Sequence, residues 1–457
     1  MGDEMTNCLK VRDDFRPLTF DAEGDSFRLE AGSEASCFSG DLFSQKELRN
    51  RIEPWLTSLF QSEHLSLLAG SGLTHAVHSI AVENCAAGMG ALTLSNHQTE
   101  IDQAASQAAE AAGRKKGNLE DQLRVANELL RGLEILQKTA EVKALSEELQ
   151  TGMQAFAQSI LSSEVGIATA KEDMREQAFN TLVTFLMSFA SRTGVRDRLN
   201  IFTTNYDRLI EAGAELAGLH LLDRFLGNLM PIFRSSRLDL DMHYNPPGIR
   251  GEPRYLEGVA RFTKLHGSVD WVQTGSDIRR IGLPFGAESV EPYLQAPGLG
   301  RATAHRLMIY PNAAKDRETA DYPYVELFRD LAAAVCRPNS TLLTYGYSFG
   351  DEHINRVIRD MLTIPSTHLV VISYDDPLGR IMETYREMGR PSQISLLIGP
   401  ALADLTTLTE NYLPKAAIDK TTFRMSELLK QRIGSEPPPA KRFATEAAGA
   451  IDVSDFV

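Results

Sequence analysis

Paired cysteines are the first thing this chain lacks. Its four, Cys8, Cys37, Cys85 and Cys336, stand at no metal-ligand spacing and are too sparse for a disulfide framework. Reduced, mostly buried thiols in a cytoplasmic protein are the expectation. Long apolar runs are missing too. None approaches the roughly 18–20 residues that a membrane span needs, and the acidic stretch Met1–Arg16 has no apolar segment of the signal-peptide kind. Positive charge is in deficit, 47 Lys and Arg against 61 Asp and Glu, for a net charge of −14. Such a surface repels phosphate backbones, so direct nucleic-acid binding is disfavoured. There is no internal repeat.

What is present is ordinary soluble-protein composition, 43% hydrophobic and 24% charged over 457 residues, enough for two or three compact units. Residues 1–45 are rich in Asp, Glu, Gly and Ser with little periodicity, and read as an N-terminal arm, partly disordered. Leu48, Ile52, Trp55, Leu56 and Leu59 then recur at helical spacing. A strand is expected at Leu65–Ala69, followed by Gly70-Ser71-Gly72 and a helix from about His75 to Ala86. Residues 99–193 change to charged, alanine-rich segments with helical periodicity. They read as an insertion of three or four helices that packs on the sheet or on another subunit, with no cluster of ligand-type residues.

From Leu199 short apolar strands alternate with helices. Strands are expected at 199–203, 260–265, 305–310, 341–346, 367–374 and 394–398. Helices are expected at 207–217, 322–336, 351–362, 377–388 and 402–413. This alternation indicates an α/β fold built on a doubly wound parallel sheet. Residues 220–258 and 272–303, rich in Gly, Pro, Arg and Asp, read as long loops or a small lid. The stretch 433–457, with Glu436-Pro437-Pro438-Pro439, reads as a disordered tail.

Five motifs sit at strand ends, where open α/β sheets bind ligands. Gly70-Ser71-Gly72-Leu73-Thr74 follows a strand and opens a helix. It suits an anion held by free backbone N–H groups, or a plain tight turn. Thr203-Thr204-Asn205-Tyr206-Asp207 offers an amide and a carboxylate. Asn205 can orient a hydroxyl or a water, or serve a turn, and Asp207 can bind ligand or cap the next helix. Lys264-Leu265-His266-Gly267-Ser268 places an imidazole beside a glycine, either as a general base or as a satisfied structural histidine. Gly346-Tyr347-Ser348-Phe349-Gly350-Asp351 is a second glycine-bearing turn, with Asp351 as a helix cap and Glu352 and His353 on the first helical turn. Ser373-Tyr374-Asp375-Asp376 ends a strand in acids that would hold a ribose diol or form a turn.

Their order and spacing resemble the sirtuin-like NAD-binding domain over roughly residues 48–98 and 195–415. Within it they resemble the bacterial sirtuin-like proteins of anti-phage defence, which carry T-T-N-Y-D, K-L-H-G-S and a G-Y-S-F-x-D-x-H-I-N segment, here Gly346–Asn355. The resemblance implies a sirtuin-like Rossmann core from residues 46–98 and 194–432. It implies NAD as substrate, with Gly70, Ser71, Gly72 and Thr74 around the diphosphate and Thr203 and Asp207 among the binding residues. Asn205 would hold the nicotinamide-side ribose and a water, His266 would be the general base, and Gly346, Tyr347 and Ser348 would line the adenosine-ribose side.

Three departures narrow the chemistry. Deacylating sirtuins carry two cysteine pairs for zinc after the histidine motif, and residues 267–345 here contain Cys336 alone. Thr204 stands where a glutamine is usual, and the gap from Asn205 to His266 is long. No zinc is therefore expected, and NAD+ hydrolysis to nicotinamide and ADP-ribose is preferred. The alternatives are a protein deacylase and a non-catalytic NAD or ADP-ribose scaffold. The short stretch after Leu413 leaves no room for a further domain. That favours resemblance to the separate sirtuin-like subunit that assembles with a HerA-type hexameric ATPase, as a homo-oligomer without membrane contact.

Overall fold

In the computed structural model the chain begins with strands β1 (Asn7–Lys10), β2 (Leu18–Glu23), β3 (Ser26–Leu29) and β4 (Leu42–Ser44). Helix α1 (Gln45–Phe60), strand β5 (His64–Ala69) and helix α2 (Ser71–Val82) follow. Next come α3 (Gln98–Ala111), α4 (Leu119–Ile135), α5 (Thr139–Ala168) and α6 (Glu172–Ala190). Then β6 (Asn200–Thr203), α7 (Leu209–Leu216), β7 (His220–Leu222), β8 (Phe225–Leu226), β9 (Ile232–Phe233), β10 (His243–Tyr244), β11 (Arg254–Tyr255) and β12 (Val259–Lys264). The remainder is β13 (Trp271–Thr274), β14 (Asp277–Arg280), α8 (Glu291–Leu294), α9 (Tyr324–Val335), β15 (Ser340–Tyr345), α10 (Glu352–Leu362), β16 (His368–Ser373), α11 (Arg380–Met388) and β17 (Ile394–Ile398). The structure describes residues 7–415 apart from 12–13, 31–37, 39, 85, 87–89, 112–116, 191–196, 236–241, 245–253, 256–257, 275–276, 297–298 and 300–322. The expected strand at 305–310 and the tail at 433–457 lie outside the described residues.

The main sheet runs β4-β3-β2-β1-β17-β16-β15-β5-β6-β12-β7. From β17 to β7 every neighbouring pair is parallel. Those strands are buried on both faces, as a parallel sheet requires. Side-chain alternation sorts them into two cores. Leu67, Ala69, Leu343, Tyr345, Val370 and Ile372 pack with α1, α2, α6 and α7. Leu68, Leu342, Leu369 and Val371 pack with α9, α10 and α11. The doubly wound α/β architecture is thus present.

Four segments differ from the reading of the sequence. The described part of residues 1–45 is not an arm but an antiparallel meander, β1–β4, added to the sheet through β1 on β17. Leu18, Phe20, Phe27 and Phe43 bury its inner face. Composition hid this because the strands are short and their partner lies at the far end of the chain. The region 99–193 divides, because α6 covers the parallel sheet whereas α3–α5 build a third core with Tyr206 and Val269. The expected helix 402–413 is broken into Pro400–Ala403, Leu405–Thr407 and a π turn, Leu408–Tyr412. Within the expected loop regions, β13-β14-β9-β8 form a small second sheet. Among the described residues no helix is long and apolar enough to cross a membrane.

A polar cluster fastens the meander to the sheet. The fully buried Lys10 donates to the carbonyls of Pro391 at 2.5 Å and Ile394 at 3.0 Å. Trp55 Nε1 and His368 Nε2 each lie 2.9 Å from Ser395 Oγ. Burial, reinforced by the Lys10 charge, pushes His368 down to about 4. Between that value and the ordinary 6.5 or so of an exposed imidazole, the unfolded chain binds more protons than the folded one. The contribution is therefore fully present above about 6.5 and is lost as pH falls towards 4, by up to roughly 3 kcal/mol. Denaturant unfolding at pH 7 and pH 4.5 should show a larger loss for the native sequence than for His368→Gln.

The parallel sheet reverses its winding between β5 and β15, and glycines meet there. Gly70 N donates to Tyr345 O at 2.9 Å and Gly72 N to Gly346 O at 3.1 Å. A Cβ on Gly346, whose φ is +60°, would lie 2.5 Å from Gly72 Cα. Gly346→Ala should therefore cost more than the ~1–2 kcal/mol of left-handed strain alone. Gly24→Ala, at φ +61° with nothing within 4 Å, should cost no more than that strain, and denaturant unfolding of the two variants measures the difference.

Candidate functional site

A cavity of about 250 Å³ opens at that reversal point. Its walls come from the α2 start, the β6–α7 loop, the β12 end, the β15–α10 turn, and α4, α5 and α11. Of the residues expected from the sequence, Gly70, Ser71, Thr74, Asn205, Asp207, His266, Gly346, Tyr347 and Ser348 line it. Gly72 and Thr203 do not. Gly72 packs against Gly346 backbone, and Thr203 Oγ1 bridges Ala69 O at 2.9 Å and the Asn205 N–H at 3.0 Å. Their placement supports the site rather than facing it.

Helix α2 starts at Ser71, earlier than the sequence suggests, so its positive end opens on the cavity. The Asn205 amide donates to Gly70 O and to Thr74 Oγ1, both at 2.9 Å. Thr74 donates its own proton to Asp207 Oδ2 at 2.6 Å. Both amide hydrogens are thereby used and the side chain is fixed in one orientation, with Oδ1 left as an acceptor. Asp207 also accepts from Leu209 N at 3.1 Å, so it satisfies the first N–H of α7 while it holds Thr74.

The two polar motifs are tied to each other by backbone. Leu265 N donates to Thr203 O at 2.8 Å and Val269 N to Tyr206 O at 3.0 Å. Lys264 Nζ reaches Asp207 O and, at 3.0 Å, Glu211 Oε1. Gly267, at φ +81°, allows the turn that brings His266 inward. His266 is buried, and its Nε2 lies 2.9 Å from Asp351 Oδ2. Asp351 Oδ1 meanwhile accepts from His353 N at 2.9 Å as the cap of α10. Tyr347 Oη turns away into α10, donating towards Asp351 O and Asn355 Oδ1 at 3.1 and 3.0 Å. Burial first, then Asp351, holds that phenol well above its ordinary range.

Sequence reasoning missed part of the wall. Glu120 and Asp121 of α4, Phe156, Ser159 and Ser163 of α5, His75 of α2 and Arg380 of α11 all line the cavity. The insertion was expected to bring no ligand-type residues, and it brings two carboxylates. Nothing local in the sequence points to them, because their place depends on how α3–α5 pack. Asp351 gave a cap signal only, and Arg380 none. Of the acids after β16, Asp376 takes the turn role, accepting from Ile381 N and Met382 N at the start of α11 at 3.1 and 3.0 Å. Among the described residues no group of three or more His, Cys, Asp or Glu side chains is arranged to hold a metal ion.

The insertion is locked to the site by a buried ion pair. Glu164 of α5 accepts from Arg208 N at 2.8 Å and from Nε at 3.2 Å, and pairs with a terminal guanidinium nitrogen. Arg208 also reaches Leu283 O. Burial works against the guanidinium charge, and Glu164, with Asp270 and Glu211 behind it, more than restores it, so Arg208 is held above its ordinary value. Phe156 meets Tyr206 edge-on at 5.6 Å. Arg208→Met alone strands a buried carboxylate and should cost about 3–5 kcal/mol, whereas Arg208→Met with Glu164→Leu should cost far less. Chemical denaturation of the two variants tests this.

Residues 199–389 match the family model of the SIR2-like domain. The matched stretch begins just before the Asn205 loop, includes His266 and the Gly346 turn, and ends after α11. It supports a sirtuin-like family and NAD-related chemistry. No curated protein matches the chain.

Proposed function

We propose that this protein is an NAD+ glycohydrolase that releases nicotinamide and ADP-ribose. The observation that carries the reading is the convergence of Asn205 and His266 on one glycine-walled cavity. The walls suit a dinucleotide: Gly70, Ser71 and Gly346 line the cavity, and because a Cβ on Gly70 would lie 2.7 Å from Tyr347 Cα, the two turns close on each other into one backbone wall for a diphosphate. The α2 N-terminus and Arg380 provide positive character beside it.

Each residue then has a task. Asn205 Oδ1 accepts a hydrogen bond from a ribose hydroxyl and fixes the sugar beside the attacking water. Asp351 holds the Nε2 proton of His266, which leaves the Nδ1 lone pair to take a proton from that water. Substrate NAD+ contributes a cationic leaving group, and bond cleavage builds positive charge on the ribose. The missing cysteine pairs after His266 favour hydrolysis over deacylation.

Purified full-length chain should release nicotinamide from NAD+, measured by chromatography. Asn205→Ala and His266→Ala should each lower kcat by roughly 100-fold or more. Full activity in either variant would overturn the mechanism, and deacetylation of an acetyl-lysine peptide would favour the deacylase.

NAD depletion in anti-phage defence, inside a cytoplasmic complex of a homo-oligomer with a HerA-type ATPase, completes the reading. It is supported by the motif resemblance. Co-purification with such an ATPase would strengthen it, and a monomer indifferent to one would weigh against it.

A further inference from the structure

Helix α4 points its first turn at the reacting groups. A capping box holds that turn: Asp121 N donates to Asn118 Oδ1 at 2.9 Å and Asn118 N to Asp121 Oδ2 at 3.0 Å. Glu120, between them, has a side chain 14% exposed, and its Oε1 accepts from Tyr206 Oη at 3.1 Å. The same oxygen lies 4.0 Å from His266 Nδ1. Asp351 occupies the other ring nitrogen at 2.9 Å. His266 is therefore bracketed by two carboxylates, one from the sheet's own turn and one from the insertion.

The two distances imply different roles. At 2.9 Å the carboxylate of Asp351 can only accept, which places a proton on Nε2 and, in the neutral ring, leaves Nδ1 a lone pair. Glu120 and Nδ1 are then both acceptors, and at 4.0 Å they do not bond to each other. One water placed between them can donate one O–H to each at ordinary hydrogen-bond length. The neighbouring ionisable groups are otherwise engaged. Asp121 serves the capping box, Asp207 holds Thr74 and Leu209, and Tyr206 serves Glu120. His75 and Arg380 complete the ionisable lining, together with the buried Tyr347 phenol.

We propose that Glu120, carried by the helical insertion, is a further residue of the hydrolytic centre: with His266 it seats the reacting water, and with Asp351 it stabilises the imidazolium that forms. The proposal rests on the hydrolase reading. In the step, an O–H bond of water breaks and its proton passes to His266 Nδ1. The oxygen's electron pair forms the bond to the ribose anomeric carbon. The bond to the pyridinium nitrogen breaks, its electron pair leaves with nicotinamide, and the imidazolium later returns its proton to solvent. The negative charges of Glu120 and Asp351 face the ring when it is positive.

Two measurements on the full chain separate this inference from the reading beneath it. In nicotinamide release, Glu120→Gln should lower kcat roughly 10- to 100-fold with little change in KM. It should also move the acidic limb of the pH–rate profile to lower pH, since one carboxylate fewer favours the protonated ring less. Glu120→Asp should restore part of the rate. A merely structural role would leave that limb where it is. Without substrate, nitrogen NMR of histidine-labelled protein, assigned with His266→Gln, should show the ring titrating at lower pH in Glu120→Gln than in the native sequence. If the native protein releases no nicotinamide, the hydrolase reading fails, and the inference fails with it as a statement about hydrolysis. If the native protein is active and Glu120→Gln leaves both kcat and the ring titration unchanged, the inference alone is overturned.

Discussion

The backbone contact between Gly70–Gly72 and Gly346–Tyr347 is the constraint on which the site depends. Strands β5 and β15 are neighbours, yet α2 and α10 leave them for opposite faces of the sheet. A crevice at such a point is a property of the topology. Its shape here comes from the absence of side chains on both sides of the contact. Without Cβ atoms the two turns approach until they hydrogen-bond. That closeness starts α2 at the cavity rim, and it sets the turn after β15 at the height where Asp351 meets His266. Phe349, a non-glycine residue at φ +52°, lies in this turn and is held by Asn355 Nδ2 at 3.0 Å from its carbonyl. Strain of this kind persists where surrounding structure over-determines it.

From that contact outward, the polar groups form one connected system. Gly70 O orients Asn205, Asn205 and Asp207 share Thr74, and Asp207 O receives Lys264. Lys264 precedes His266 by two residues, so the amide and the imidazole are positioned by the same few hydrogen bonds. The lysine and the aspartate of the two motifs thus find their use in holding the loops. Asn205 and His266, freed from that work at Oδ1 and Nδ1, face the cavity.

The fold class and strand positions of the parallel sheet were legible because each strand is a short, wholly apolar run and each helix is periodic. The cavity-facing motifs were legible because glycines and polar side chains break the apolar pattern at the carboxyl ends of parallel strands, where such sheets bind ligands. The meander β1–β4 was not, since four-residue strands carry almost no periodicity and β1 finds its partner in β17. Gly72 and Thr203 were read as ligand-facing, yet one supplies close approach and the other supplies backbone bonding. Sequence order does not separate touching a ligand from shaping what touches it. Glu120 was illegible for a further reason. The helix dipole alone favours an acidic residue in a first helical turn, so its second role shows only once α4 is docked.

That docking gives the insertion a functional meaning. Its core includes Tyr206 and Val269, residues of the two loops that bear Asn205 and His266. The Glu164–Arg208 pair anchors α5 at the same loop from the buried side. A movement of α4 and α5 would therefore carry Glu120 away from the imidazole while the glycine crevice and the Asp351 contact, which belong to the sheet, stayed in place. The proposed centre is thus divided between the parallel sheet and a separately packed helical layer, and the helices that carry Glu120 to the imidazole also wall the cavity in which it lies.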